Sequence, residues 1–211
     1  MKPFLLLFFG LLSLCHHLSA QYFEGEVVYQ MTYKSKMKDV SDERITNAMG
    51  DKSEYYIRGG DYKSVGNGTI FQWQLYRHDA NRLYNKMTKT NAILWIDGAS
   101  DPDTVYHSTM VFGAATVLGY SCDELILFCR TGTQRYFFSS RVAVDARLFT
   151  RHRFGNYYDY VSKANAVPLM YILDTKQFTV TSKAVFIKPG SLDPGMFTLP
   201  AGALLSPMPQ N

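Results

Sequence analysis

Along most of the chain apolar and polar residues alternate with a period of two, which is the mark of half-buried strands. The opening stretch shows it best. Over residues 23–33 the odd positions Phe23, Val27, Tyr29, Met31 and Tyr33 make one apolar face, with Gly25 among them, while Glu24, Glu26, Gln30 and Thr32 fall on the other. Such a strand packs one face on a core and shows the other to water, as antiparallel sheets allow. From 35 to 50 the alternation stops and charges of both signs appear. There Ser41-Asp42-Glu43, with Gly50 further on, has the start and stop chemistry of a short helix. Strands are then expected over 54–58, 61–65, 70–76, 82–87 and 92–97. Gly59-Gly60, Gly66-Asn67-Gly68, 78–81 and 98–103 separate them with residues suited to tight turns. The second half predicts strands over 106–112, 116–129 with a bend at Gly119, and 134–139. A mixed segment over 141–166 follows, with a short helix at 156–163, and then a closing hairpin of 169–175 and 178–187. No period of 20 to 50 residues recurs and no linker stands out, so one domain over 21–211 is expected.

Composition agrees with this β-rich reading: charged residues are only 19%, and 15 Tyr and 14 Phe oppose both disorder and a coiled coil. The start of the chain has its own chemistry. Lys2, an apolar run over 4–14 broken only by Gly10 and Ser13, and Ser19-Ala20 read as a cleavable export signal over 1–20. The run is shorter than the about 20 apolar residues of a membrane span. The expected location is therefore periplasmic or secreted. A lipid anchor at Cys15 is the alternative, disfavoured because Leu14 stands where that signal carries a small residue. The net charge of +4, or +3 once Lys2 is removed, lacks the dense basic stripe of a nucleic-acid binder.

Candidate chemistry is sparse. Metal, nucleophile-elbow, redox-dithiol and phosphate-loop motifs are all absent, and His78, His107 and His152 are scattered without ligand spacing, as solvated side chains near turns would be. Glu24 and Glu26 are the best carboxylate pair, two apart on one face and about 6.7 Å between Cα atoms, within reach of glycosidase geometry. They are equally the polar side of the first strand. Arg147, Arg151 and Arg153 make the densest basic stretch, suited either to a solvated loop or to phosphate headgroups. Cys122 and Cys129 lie seven apart in a run with no turn residue, about 23 Å apart if extended, so two free thiols are expected. Phe71, Trp73 and Leu75 share one strand face and Ile93 and Trp95 another, as core or as the wall of a cavity.

A β-sandwich, a closed barrel and a curved sheet over helices all fit this pattern. Five stretches, in order, then carry a resemblance. They are Phe23-Glu24-Gly25-Glu26-Val27-Val28-Tyr29, Tyr56-Ile57-Arg58-Gly59-Gly60-Asp61-Tyr62, Val117-Leu118-Gly119-Tyr120-Ser121-Cys122, Val167-Pro168-Leu169, and the ending from Leu192-Asp193-Pro194 to Pro200-Ala201-Gly202. Together the chain resembles a secreted bacterial family of unknown function related to the LolA and LolB lipoprotein carriers and, more distantly, to the GLPGLI family. Asn165-Ala166-Val167-Pro168-Leu169-Met170 replaces the GLPGLI signature itself. The resemblance implies a mainly β (α+β) fold: a curved antiparallel half-barrel of about ten strands, with two or three short helices over its concave face and an apolar cavity between them.

The expected function is non-enzymatic binding of a lipid, acyl chain or other hydrophobic ligand in the cell envelope, by a monomer needing no cofactor, metal or nucleic acid and open to peripheral membrane contact. Tyr29, Met31, Trp73 and Trp95 are the candidate lining residues. The alternatives are a structural or adhesive envelope domain without a ligand and a carboxylate-dependent hydrolase.

Overall fold

The computed structural model describes residues 22–209; the expected export signal and Cys15 lie outside them. The first six strands are β1 (Gly25–Ser35), β2 (Lys52–Arg58), β3 (Asp61–Gly66), β4 (Phe71–Arg77), β5 (Arg82–Met87) and β6 (Ile93–Asp97), with α1 (Asp42–Met49) between β1 and β2. Then come β7 (Val105–Val117), β8 (Tyr120–Cys129), β9 (Gly132–Ala143), α2 (Tyr157–Ala164), β10 (Ala166–Thr175), β11 (Phe178–Pro189) and β12 (Leu205–Pro207). All twelve strands join one sheet, in the order β12-β6-β5-β4-β3-β2-β1-β11-β10-β9-β8-β7.

The topology forces the sheet to curl. β1 to β6 form one meander and β7 to β11 another, and the two meet where β1 pairs with β11. β6 and β7, consecutive in the chain, therefore stand at opposite ends of eleven antiparallel strands. Laid flat, those ends would be roughly 48 Å apart at the usual strand spacing. The connection over 98–104 spans at most about 29 Å even when extended. The sheet curves but does not close: β12 runs parallel along the β6 edge, and among the described residues β7 has no strand beyond β8.

The half-barrel expectation holds, with twelve strands in place of about ten and one parallel pair where all were expected antiparallel. Burial in β1 follows the alternation: Val27, Tyr29 and Met31 are buried while Gln30 and Thr32 are exposed. α1 forms where its signals lie. The Ser41 hydroxyl accepts from the Arg44 N–H, and Gly50 ends the helix at φ 89°, a conformation open to glycine. Two expectations need correction. Residues 116–129 are not one bent strand: Leu118 (φ 50°) and Gly119 (φ 77°) make a two-residue hairpin turn, so that Thr116 pairs with Ser121 across it. The second correction concerns the helical turns, which do not all lie on one side. Pro194–Phe197 packs on the outer face, where Phe197 joins Leu75, Tyr84 and Ile93 in a second, smaller core.

Cys122 and Cys129 occupy the two ends of β8, both buried and unpaired. Burial pushes the Cys129 thiol up to about 12, so it is a poor nucleophile. Denaturing alkylation without reductant is expected to label both cysteines, and a Cys122 to Cys129 crosslink in the peptide map would show β8 to be folded back on itself.

Candidate functional site

Between β9 and β10 the chain leaves the sheet and crosses its concave face as two 3-10 turns, Ala146–Phe149 and Phe154–Asn156, followed by α2. Asp145 caps the first turn by accepting from the Arg147 N–H, and Asn156 and Asn165 flank α2 in the left-handed conformation that asparagine tolerates. Phe149, His152, Tyr160 and Val161 of this cover are buried in the main core. Arg147, Arg151 and Arg153 are exposed and engaged within the fold. Arg147 forks onto Asp145, Arg151 donates to the His78 carbonyl, and Arg153 lies over the Tyr158 ring.

Where the cover stops short of the sheet, two cavities remain, of about 290 and 310 Å³. The first is walled by tyrosines from three directions: Tyr29, Tyr55 and Tyr62 from β1 to β3, Tyr136 and Tyr171 from β9 and β10, and Tyr157 and Tyr160 from α2. Met31, Tyr33, Met49, Phe71, Phe178 and Val180 enclose the second. Ser64, Gln74, Tyr171 and Leu173 border both, so the two cavities form one trough. Strand register puts these residues together. Tyr55 pairs with Ser64, Ser64 with Gln74 and Gln74 with Asn85, while Ile57, Tyr62, Tyr76 and Leu83 form the next row.

Four of the phenols bond to protein acceptors or partners. Tyr29 Oη donates to the Pro168 carbonyl (2.6 Å), Tyr160 Oη to the Ala166 carbonyl (2.8 Å) and Tyr136 Oη to Gln134 Oε1 (3.0 Å), while Tyr62 Oη bonds to His152 Nε2 (2.8 Å). The rings, more than the hydroxyls, are thus what the trough offers. Burial holds the phenols of Tyr29, Tyr55, Tyr62 and Tyr160 well above their ordinary titration range, and that of Tyr33 up to about 12. All remain neutral at physiological pH.

His152 departs from the solvated side chain expected of it. Its imidazole is buried, stacked at 4.1 Å on Tyr76 and 4.5 Å on Tyr157, and its Nδ1 has no hydrogen-bond partner. Burial drives its pKa down to about 3. His78 is half-exposed against Asp61 and His107 is exposed on Phe128, as solvated histidines would be.

The four candidate lining residues separate into two pairs. Tyr29 and Met31 border the trough. Trp73 and Trp95 lie on the outer face and pack against the small core around Phe197, with Lys63 over Trp73 and Arg82 over Trp95. Alternation identifies faces but not which one turns inward. The residues that sequence reasoning missed are Tyr55, Tyr62, Tyr136, Tyr157, Tyr160 and Tyr171. The tight Gly59-Gly60 turn, which sets Ile57 opposite Tyr62, is the local signal that aligns the first two of them.

Glu24 and Glu26 also face outward. Glu24 accepts from the Leu192 N–H, anchoring the C-terminal segment next to β1, and pairs with Arg58 Nε at 3.2 Å, while Glu26 accepts from Tyr56 Oη of β2. Among the described residues no group of three or more His, Cys, Asp and Glu could hold a metal ion, and no helix is long and apolar enough to cross a membrane.

No family model matches the chain, so the resemblance to the LolA-like and GLPGLI families rests on the motifs alone. No curated protein matches it either. Among solved structures it is similar to PNGF-II in two crystal forms, at 10% identity and TM-scores of 0.49 and 0.48, over 88% of this chain and 32% and 31% of that one. This chain thus spans about a third of the length of PNGF-II. It is also similar to a LolA superfamily protein from Nitrosomonas europaea at 10% identity and a TM-score of 0.38, over 84% of this chain and 90% of that one.

Proposed function

We propose that the trough holds a lipid, an acyl chain or another hydrophobic ligand, and that the protein acts by binding and not by chemical turnover. The observation that carries this reading is the contiguity of the two cavities beneath a helical cover, walled almost wholly by aromatic and aliphatic side chains. Each is near the lower end of the size range of small-molecule sites. The export signal read in residues 1–20 supports a site of action in the periplasm or outside the cell, and the exposed arginines of the cover offer a surface suited to peripheral membrane contact. No cofactor, metal or nucleic acid enters the proposal.

Native mass spectrometry of protein purified without detergent, with fluorescence titration by an acylated probe, tests it. The expected result is a copurifying apolar adduct or saturable probe binding; the absence of both would overturn the reading. A structural or adhesive domain without a ligand is the second reading. It is favoured by the mutual stacking of Tyr62, Tyr76, His152 and Tyr157, which packs this end of the trough as a core.

A further inference from the structure

We infer that the trough selects an electrically neutral amphiphile, an apolar chain interrupted by an uncharged ester, amide or hydroxyl group that sits against Ser64 and Gln74. This rests on the binding reading above and narrows it. The two cavities differ in character: the first is aromatic, and the second is formed by Met31, Met49, Phe71, Phe178 and Val180 among others. Between them runs a strip of serine and carboxamide side chains. Ser53 Oγ lies 2.7 Å from Ser64 Oγ, and Gln74 Nε2 donates to Asn85 Oδ1 at 2.8 Å. Ser64 and Gln74 border both cavities, so a chain long enough to occupy the two must cross them. Behind the strip Asn85, which borders neither cavity, keeps a buried Nδ2 with no partner. One amide hydrogen of Gln74 is used on Asn85, which leaves the other to donate to the ligand.

Charge is what the lining refuses. Among the described residues no Asp, Glu, Lys, Arg or His borders either cavity. The phenols supply no anion, since burial raises those that are shifted. A carboxylate, phosphate or ammonium drawn into the trough would lose its hydration with no counter-ion to replace it. A bare hydrocarbon avoids that cost but takes up none of the hydrogen-bonding capacity that Ser64 and Gln74 retain beyond their bonds to Ser53 and Asn85. The neutral amphiphile meets both requirements.

The test compares chain-matched probes on the full protein at pH 7.5, each below its aggregation threshold: a monoacylglycerol, the free fatty acid, an alkyltrimethylammonium and the plain alkane, all in competition with one fluorescent acyl reporter. Monoacylglycerol is expected to bind at least tenfold more tightly than either charged probe. Gln74→Leu should weaken monoacylglycerol about fivefold, as loss of one hydrogen bond would, and leave the alkane unchanged. If thermal melting shows that Gln74→Leu does not fold, Ser64→Ala gives the same comparison by deletion of one hydroxyl. Charged probes that bind as tightly as the neutral one, or variants that weaken alkane and monoacylglycerol alike, would overturn neutral selectivity while leaving hydrophobic binding standing. A reporter that is bound but displaced by none of the probes overturns neutral selectivity, whereas failure of the reporter itself to bind saturably overturns the binding reading.

Discussion

Lowering the pH from 7 to 4 is expected to destabilise the native state by about 3 kcal/mol through His152 alone. In an unfolded chain the imidazole takes up its proton near pH 6.5, whereas in the fold burial holds it off until about pH 3. Between these values the unfolded state binds a proton that the native state does not, so the stability is whole above pH 6.5 and is lost progressively as the pH falls toward 3. At about 1.4 kcal/mol per unit, pH 4 lies far enough down this slope for the effect to be large. The stacks on Tyr76 and Tyr157 bury the ring, and the bond to Tyr62 occupies only one of its two nitrogens. His152→Phe keeps a flat ring in the stack and removes the titration.

Urea unfolding of both proteins at pH 7, 5 and 4 measures the difference directly. Asp103 contributes in the same sense at the acid end: burial raises its carboxyl, but bonds from Thr131, Thr104 and Asn156 outweigh this and hold it low. It is common to both proteins and cancels. Parallel profiles would show that the imidazole is not the acid-labile group.

The second large effect is expected at Tyr29. Tyr29→Ala should cost about 3–5 kcal/mol, because it removes a buried aromatic ring together with a long-range tie. The ring is 4% exposed, sits edge-on to Tyr55 at 6.3 Å and against Tyr171 at 6.0 Å, and its hydroxyl reaches the Pro168 carbonyl. One residue on, Gln30 is exposed and its amide meets Asp51 at only 3.3 Å. Gln30→Ala should stay within about 0.5 kcal/mol. Chemical denaturation of the two variants decides the matter, and equal losses would invert the assignment of faces in β1.

What the sequence revealed and what it hid follow from the range of the forces involved. The faces of β1 and the limits of α1 were legible because they depend on residues two to nine positions apart, such as Val27 and Tyr29 or Ser41 and Gly50. Leu118 gave no sign of the β7–β8 turn, since a positive φ is uncommon in leucine and is imposed here by the pairing of the strands on either side. β12 is only three residues long and exists through its contact with β6, more than a hundred residues earlier. Trp73 shares the outer face with Leu75, and Trp95 packs with Ile93, but Phe71 does not share the face expected of it: a bulge between Phe71 and Trp73 turns Phe71 to the inner cavity, and the direction of curvature, a property of the whole sheet, decides which face is concave. His152 was obscured by its neighbours: Arg151 and Arg153 are indeed exposed, and in the irregular link between the two 3-10 turns no period tells that the residue between two outward side chains points in.

The pairing of β1 with β11 sets an order on how this protein forms. β2 to β6 and β7 to β10 can each zip up through hairpins between near neighbours, but the seam joins Gly25 to Pro189 and Ser35 to Phe178. It must wait for distant parts of the chain to meet, at the loop-closure cost that makes high-contact-order topologies slow folders. Tyr55 and Tyr62 stand on one side of that seam, and Tyr136 and Tyr171 on the other. Until the seam closes, each half shows its row of tyrosine rings to water. The walls of the trough are therefore complete only once that seam has formed, and mutations that slow its pairing are expected to lengthen the time for which the tyrosine rows stay open to solvent.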